Sequence, residues 1–120
     1  MKSDTKKDPG QVFVEENHFV KHVVIHAKSR TAFFPDPEPD RKQFFEQVVE
    51  EQKNAGQSTQ LFWISPTSYV YICKKAKSIY ICECTNDVSI SQVKMEFDAF
   101  IEDSQKQGKF PKFITSLFDR

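Results

Sequence analysis

Glycine is scarce in this 120-residue chain, which has three glycines against twelve phenylalanines. A phosphate-cradling loop needs clustered glycines so that the backbone can approach its ligand, and the Gly-rich nucleotide loops are therefore excluded. Cysteine is scarce too. Its count of three is odd, so an all-paired disulfide framework cannot form, which fits a reducing compartment. Net charge is absent: 17 Lys and Arg balance 17 Asp and Glu, and a nucleic acid or an anionic surface would need a local patch. No apolar run approaches the roughly 20 residues that span a bilayer, and residues 1–10 are too polar for a signal peptide. Together these absences predict a soluble, cytoplasmic protein, at most peripheral to endomembranes.

What is present is a set of short, dense elements. The length favours a single domain with its own core. Residues 1–10 close on Asp8-Pro9-Gly10 and read as a flexible polar tail, leaving 11–120 as one domain. Residues 11–16 read as a short edge strand. Residues 18–27 hold Phe19, Val20, Val23, Val24 and Ile25, whose β-branching favours a strand. Ser29-Arg30 would turn into a return strand at 31–34, stopped by Pro35, Pro37 and Pro39. The period then changes. Phe44, Phe45, Val48 and Val49 form one stripe of a helix that starts at Asp36 or Asp40 and ends near Asn54 and Gly56.

Three strands follow, at 61–64, 69–73 and 79–82, the last two joined through Lys74-Lys75-Ala76-Lys77 as a hairpin. Both hairpin strands are apolar at odd and even positions alike, so neither sheet face can be left in water. A second helix, 89–107, offers Ile90, Val93, Phe97, Phe100 and Ile101 as one stripe; Ser89 with Gln92 marks its start and Gly108 its end. A short third helix is predicted over 110–118, with Phe113, Ile114, Leu117 and Phe118 on one side. The fold class expected is α+β: a largely antiparallel sheet of about five strands, the first helix on one face and the later helices on the other.

Tyr69-Val70-Tyr71-Ile72-Cys73, the basic turn, Ile79-Tyr80-Ile81-Cys82-Glu83-Cys84, then Asn86-Asp87 leading into Val93, Phe97, Phe100 and Ile101 resemble the longin or SNARE-like domain family of vesicle trafficking. Residues 22–32 would be its first hairpin, and the resemblance covers most of 18–118. It implies a longin/profilin-like fold, no catalysis, no cofactor, and protein partners in a hetero-oligomeric complex, bound through a sheet edge or a helix–sheet groove. The three prolines before the first helix and the polar tail depart from the pattern. No heptad run follows the domain, so a SNARE motif is absent. Candidate partner-binding residues are Phe45 and Val49 on the first helix and Phe62 and Ile64 on the strand at 61–64, which could pair with another chain as a sheet edge.

Other constellations have simpler readings. His18, His22 and His26 recur every four residues, but on a strand that spacing is ~13 Å, too long for one metal ion. Cys73, Cys82 and Cys84 would share one sheet face if Cys73 pairs with Ser78, yet they lack the C-x-x-C knuckle and read as small buried hydrophobes. Lys74, Lys75 and Lys77 form a compact basic patch beside Tyr69, Tyr71 and Tyr80. On topology alone, a helix, three strands and a helix with basic residues also resembles the Alu-RNA-binding subunits of the signal recognition particle and double-stranded RNA-binding domains. Zero net charge argues against RNA, because phosphate contacts need several cations on one face. None of the common nucleotide, hydrolase or metalloprotease motifs occurs. Asp36-Pro37-Glu38-Pro39 is a stiff acidic spacer, read either as a guide of the chain into the first helix or as an exposed recognition segment, with the first favoured.

Overall fold

A computed structural model of the chain describes residues 8–55, 59–75 and 77–106. The elements are α1 (Pro9–Glu16), β1 (Val20–Ala27), β2 (Arg30–Phe34), α2 (Pro39–Lys53), β3 (Thr59–Ser65), β4 (Ser68–Lys75), β5 (Ser78–Thr85) and α3 (Ile90–Lys106). All five strands join one sheet in the order β2-β1-β5-β4-β3, and every neighbouring pair is antiparallel. The expected α+β class, five strands and antiparallel pairing are found. β5 returns to pair with β1, which places β5 at the centre of the sheet.

Alternation along the strands divides the core in two. Val23, Ile25, Tyr71, Tyr80 and Cys82 face Phe13 of α1 and Val93, Phe97 and Ile101 of α3. Val24, Val70, Ile72, Ile79 and Ile81 face Phe45, Val48 and Val49 of α2. Strands apolar on both sides thus receive a helical cover on both sides. Phe45 and Phe97 are fully buried, and truncating either to Ala should remove about 3–5 kcal/mol.

Local signals explain the element ends. Ser89 Oγ accepts from Gln92 N at 3.1 Å and starts α3. The Gln92 side chain does not complete the expected reciprocal box but donates to Glu96 Oε2 at 3.0 Å. α2 begins at Pro39, after Glu38 rather than Asp36 or Asp40, and its C-cap is Asn54. The third helix and the Gly108 stop lie outside the described residues, as does Gly56.

Three expectations are corrected. Residues 11–16 are helical, not an edge strand: Asp8 Oδ1 accepts from Gly10 N at 3.1 Å, and Pro9 stands at the first helical position, where its missing N–H does no harm. The Asp-Pro-Gly that looked like the end of a tail is a helix start. Helical phase then aims Phe13 at Phe100, with ring centroids 4.8 Å apart, and brings Gly10 against Phe34. A β-carbon on Gly10 would sit 2.6 Å from Phe34 Cδ2, so only glycine fits.

The β1–β2 turn is Lys28-Ser29, one residue earlier than expected, since Ala27 pairs with Arg30. Both residues adopt positive φ, 54° and 66°. Asn-Gly fills such a turn without strain, whereas Lys and Ser each cost roughly 1–2 kcal/mol there. The β4–β5 hairpin is also shifted. Lys75 pairs with Ser78, and Cys73 with Tyr80 instead of Ser78. The shift is an even number of residues, so all three cysteines still share one face.

Candidate functional site

The two sheet edges differ. β2 is five residues long and carries Arg30; Lys42 Nζ lies 5.2 Å above the Phe33 ring, and α1 packs at Phe34 through Gly10. β3 has seven residues, Thr-Gln-Leu-Phe-Trp-Ile-Ser, with neither charge nor proline. It pairs only with β4 among the described residues. Cross-strand partners fix its facing: Trp63 opposes Tyr69 and Leu61 opposes Tyr71 on the α3 side, while Phe62 opposes Val70 on the α2 side. Phe62 is 42 % and Trp63 52 % exposed. Among the described residues, β3 is thus an uncharged edge strand with large apolar groups on both faces and one row of N–H and C=O groups without a strand partner, the kind of edge to which a further strand can add.

Of the expected partner-binding residues, Phe62 is exposed on this edge and Ile64 is half-buried against the α2-side core. Phe45 and Val49 are corrected: both lie in the core, at 0 % and 4 % exposure. The apolar stripe of α2 is consumed by the sheet, so they fix the helix instead of presenting it. Sequence reasoning missed Trp63, whose alternation with Phe62 on an end strand was the available signal.

The basic patch is split by strand alternation. Lys74 turns to the α2 side and donates from Nζ to the carbonyl oxygens of Gln52 at 2.7 Å, Lys53 at 3.3 Å and Ala55 at 2.7 Å. An ammonium thus satisfies the orphan carbonyls at the negative end of α2. Lys75 shares the opposite face with Cys73 and takes no part. Lys77 lines a cleft of about 750 Å³ with Lys28, Lys53, Lys74 and His26. His26 is buried, and its Nδ1 lies 2.8 Å from Thr31 Oγ1. Burial lowers its pKa below 6.5, and the Lys53 charge adds to this against a smaller opposing effect of Glu50.

A second cleft, about 640 Å³, opens at the other end of α2 between Lys21, His22, Asp36, Glu38, Arg41 and Glu83. Glu83 is 2 % exposed in the central strand. Its Oε1 meets His22 Nδ1 at 2.9 Å and Arg41 Nε at 3.8 Å. Burial pushes the Glu83 carboxyl up, but the His22 hydrogen bond and the charges of Arg41, His22 and Lys21 outweigh it and leave its pKa below 4.5. A lone Glu between two cysteines in an inward-facing run was the sequence signal for this group, and it went unread.

The histidines do not converge. His18 is exposed before β1, His22 serves Glu83 and His26 serves Thr31; no group of three metal-binding side chains occurs among the described residues. The three cysteines are buried and free, with the sulfurs of Cys82 and Cys84 3.2 Å apart. Burial raises the thiol pKa of Cys73 and, far more, of Cys82. Both are held as thiols, which are poor nucleophiles. Tyr71 Oη donates to Asp98 Oδ1 at 3.1 Å. Tyr69 Oη is buried with no hydrogen-bond partner among the described residues, and burial, with the neighbouring Cys84 and Cys82, pushes that phenol up to about 12.

Among the described residues no helix is long and apolar enough to cross a membrane. No known protein family matches the chain, and no curated protein matches its sequence.

Proposed function

We propose that this protein is a non-enzymatic protein-interaction module, a stand-alone longin-type subunit of a vesicle-trafficking or tethering complex. The carrying observation is the β3 edge, unpaired on its outer side among the described residues and uncharged along its length, with Phe62 and Trp63 exposed on opposite faces. After α1, which the pattern lacks, the order of two strands, a helix, three strands and a helix, with helices on both faces of the sheet, supports the longin resemblance. A partner supplying an extended segment would gain main-chain hydrogen bonds along β3 and apolar contacts at alternate positions on both faces. The buried thiols and the internally neutralised Glu83 support binding over chemistry.

The RNA alternative loses its main support, because Lys74 is committed to the end of α2 and Lys75 points away from Lys77. The test is affinity capture of the tagged chain from cytosol, with and without nuclease, compared with Phe62→Lys and Trp63→Glu. Coat, tether or SNARE subunits should survive nuclease and disappear with either variant, while both variants stay folded because the residues are exposed. Capture unaffected by these variants would remove the edge from consideration. A ribonucleoprotein set lost on nuclease treatment would return the RNA reading.

A further inference from the structure

We propose that the β3 edge is the contact through which two copies of this chain associate, their β3 strands lying antiparallel about a two-fold axis at Phe62 and joining the two sheets into one. This rests on the reading of β3 as an interaction edge and names its occupant. Facing along β3 is fixed by its pairing with β4, so Phe62 meets Phe62 of the second copy on the α2 side, and Leu61 meets Trp63 of the second copy on the α3 side. Each exposed ring of the edge, Phe62 at 42 % and Trp63 at 52 %, then has an apolar partner on its own face, the kind of cross-strand pair that stabilises neighbouring strands.

Charge selects the occupant. Residues 54–73 hold no Asp, Glu, Lys, Arg or His, in a chain where 28 % of the residues are charged. A charged segment laid along β3 would lose water and find no counter-ion there, so the edge favours a strand as uncharged as itself. β3 is such a strand. Phe62 stands at the middle of Thr59–Ser65, and an antiparallel copy therefore sets the triad Leu61-Phe62-Trp63 against itself. A total charge of zero adds no long-range repulsion between copies.

The opposite edge limits the association to two. β2 is short, carries Arg30, and is flanked by Lys42 over Phe33 and by α1 at Phe34, devices that discourage strand addition. With one open edge the contact is isologous and closes on itself instead of growing a filament. The register shift between Trp63 and Ser65 bends β3 just past the triad and keeps the ladder short. One short strand per copy supplies less than the ~800 Å² per partner of a standard interface, so the dimer is weak, and a partner segment can take the place of the second copy.

The test is sedimentation velocity of the full chain over a concentration series, with Trp63 emission read on the same samples. The mean mass should rise from one chain toward two with concentration, and the emission should move to shorter wavelength alongside it. Phe62→Lys sets two ammonium groups against each other on the axis and Phe62→Glu two carboxylates. Each variant alone should therefore associate at least about tenfold more weakly, with an unchanged circular dichroism spectrum. An equimolar mixture of the two should recover association, which requires residue 62 of one copy to face residue 62 of the other. Met95→Lys, at an exposed apolar site on α3, should associate like the parent. The proposal is overturned if the chain stays monomeric throughout the series, if the mixture associates no better than either variant, or if Met95→Lys weakens the dimer as much as Phe62→Lys. Short-wavelength emission that dilution leaves unchanged would put the chain's own residues on the edge and overturn it as well. A monomer that still captures subunits released by Phe62→Lys overturns the second copy and keeps the edge, whereas a dimer that captures none upholds the second copy and removes the trafficking partner.

Discussion

The two ends of α2 meet the sheet through clefts of similar size whose charges find their partners differently. At the N-terminal end, Arg41 and His22 converge on the buried Glu83, and Lys21, Asp36, Glu38 and Asp40 also line the cleft. At the C-terminal end, Lys74 donates to three backbone carbonyls and Lys53 pairs with Glu50 at 2.7 Å. The first end sets ion against ion over a buried carboxylate. The second sets a cation against backbone dipoles. Position of a charge therefore says little until its partners are known.

The sharpest way to break this contrast is to strip the partner from the buried charge. His22→Leu removes the nearest partner of the Glu83 carboxylate and leaves it to Arg41 at 3.8 Å and the more distant charge of Lys21, and should lower stability in urea by about 3 kcal/mol. Glu83→Leu removes the charge itself, and should cost less than His22→Leu even though it deletes the more buried residue. If the two rank the other way, the pair is not a compensated buried charge. The same network sets an acid limit. Because the native Glu83 pKa lies below 4.5, the folded state binds fewer protons than the unfolded chain as pH falls past that value. Its stabilisation is therefore complete above about pH 4.5 and is lost as pH drops through the native pKa. A urea midpoint followed against pH should show this decline, and Glu83→Leu should flatten it.

At the other end, Lys74→Met should cost about 2 kcal/mol, because three carbonyl oxygens lose a charged donor and must turn to water. The loss should appear as earlier hydrogen exchange in the last turn of α2. The smallest effect has the opposite sign. Lys28→Asn with Ser29→Gly relaxes the β1–β2 turn and should stabilise the fold by about 1 kcal/mol, read as a rise in Tm of a few degrees.

Much of this architecture was legible in the chain. Strands apolar at every position from Tyr69 to Cys73 demanded cover on both faces, and the spacing of Phe44, Phe45, Val48 and Val49 supplied one of the covering helices. Ser89 announced α3. The failures have physical causes. Val12 and Val14 alternate as a strand would, but a proline at the first helical position and an aspartate before it decide for α1, and Phe13 confirms it only through contacts with a helix far along the chain. The fate of Lys74 was not readable, since nothing local says that a lysine beside a hairpin turn will reach carbonyls some 20 residues earlier. Phe45 and Phe62 look alike in sequence. Only the sheet order, which makes β3 an edge while α2 covers the inner strands of the same face, sends one inward and the other out.

The position of Trp63 has an optical consequence. It is the single tryptophan of the chain, half-exposed on β3 with its ring centroid 5.1 Å from that of Tyr69. A strand laid along the edge would shed water from the indole and move its emission to shorter wavelength, so the protein carries its own fluorescent gauge of edge occupancy.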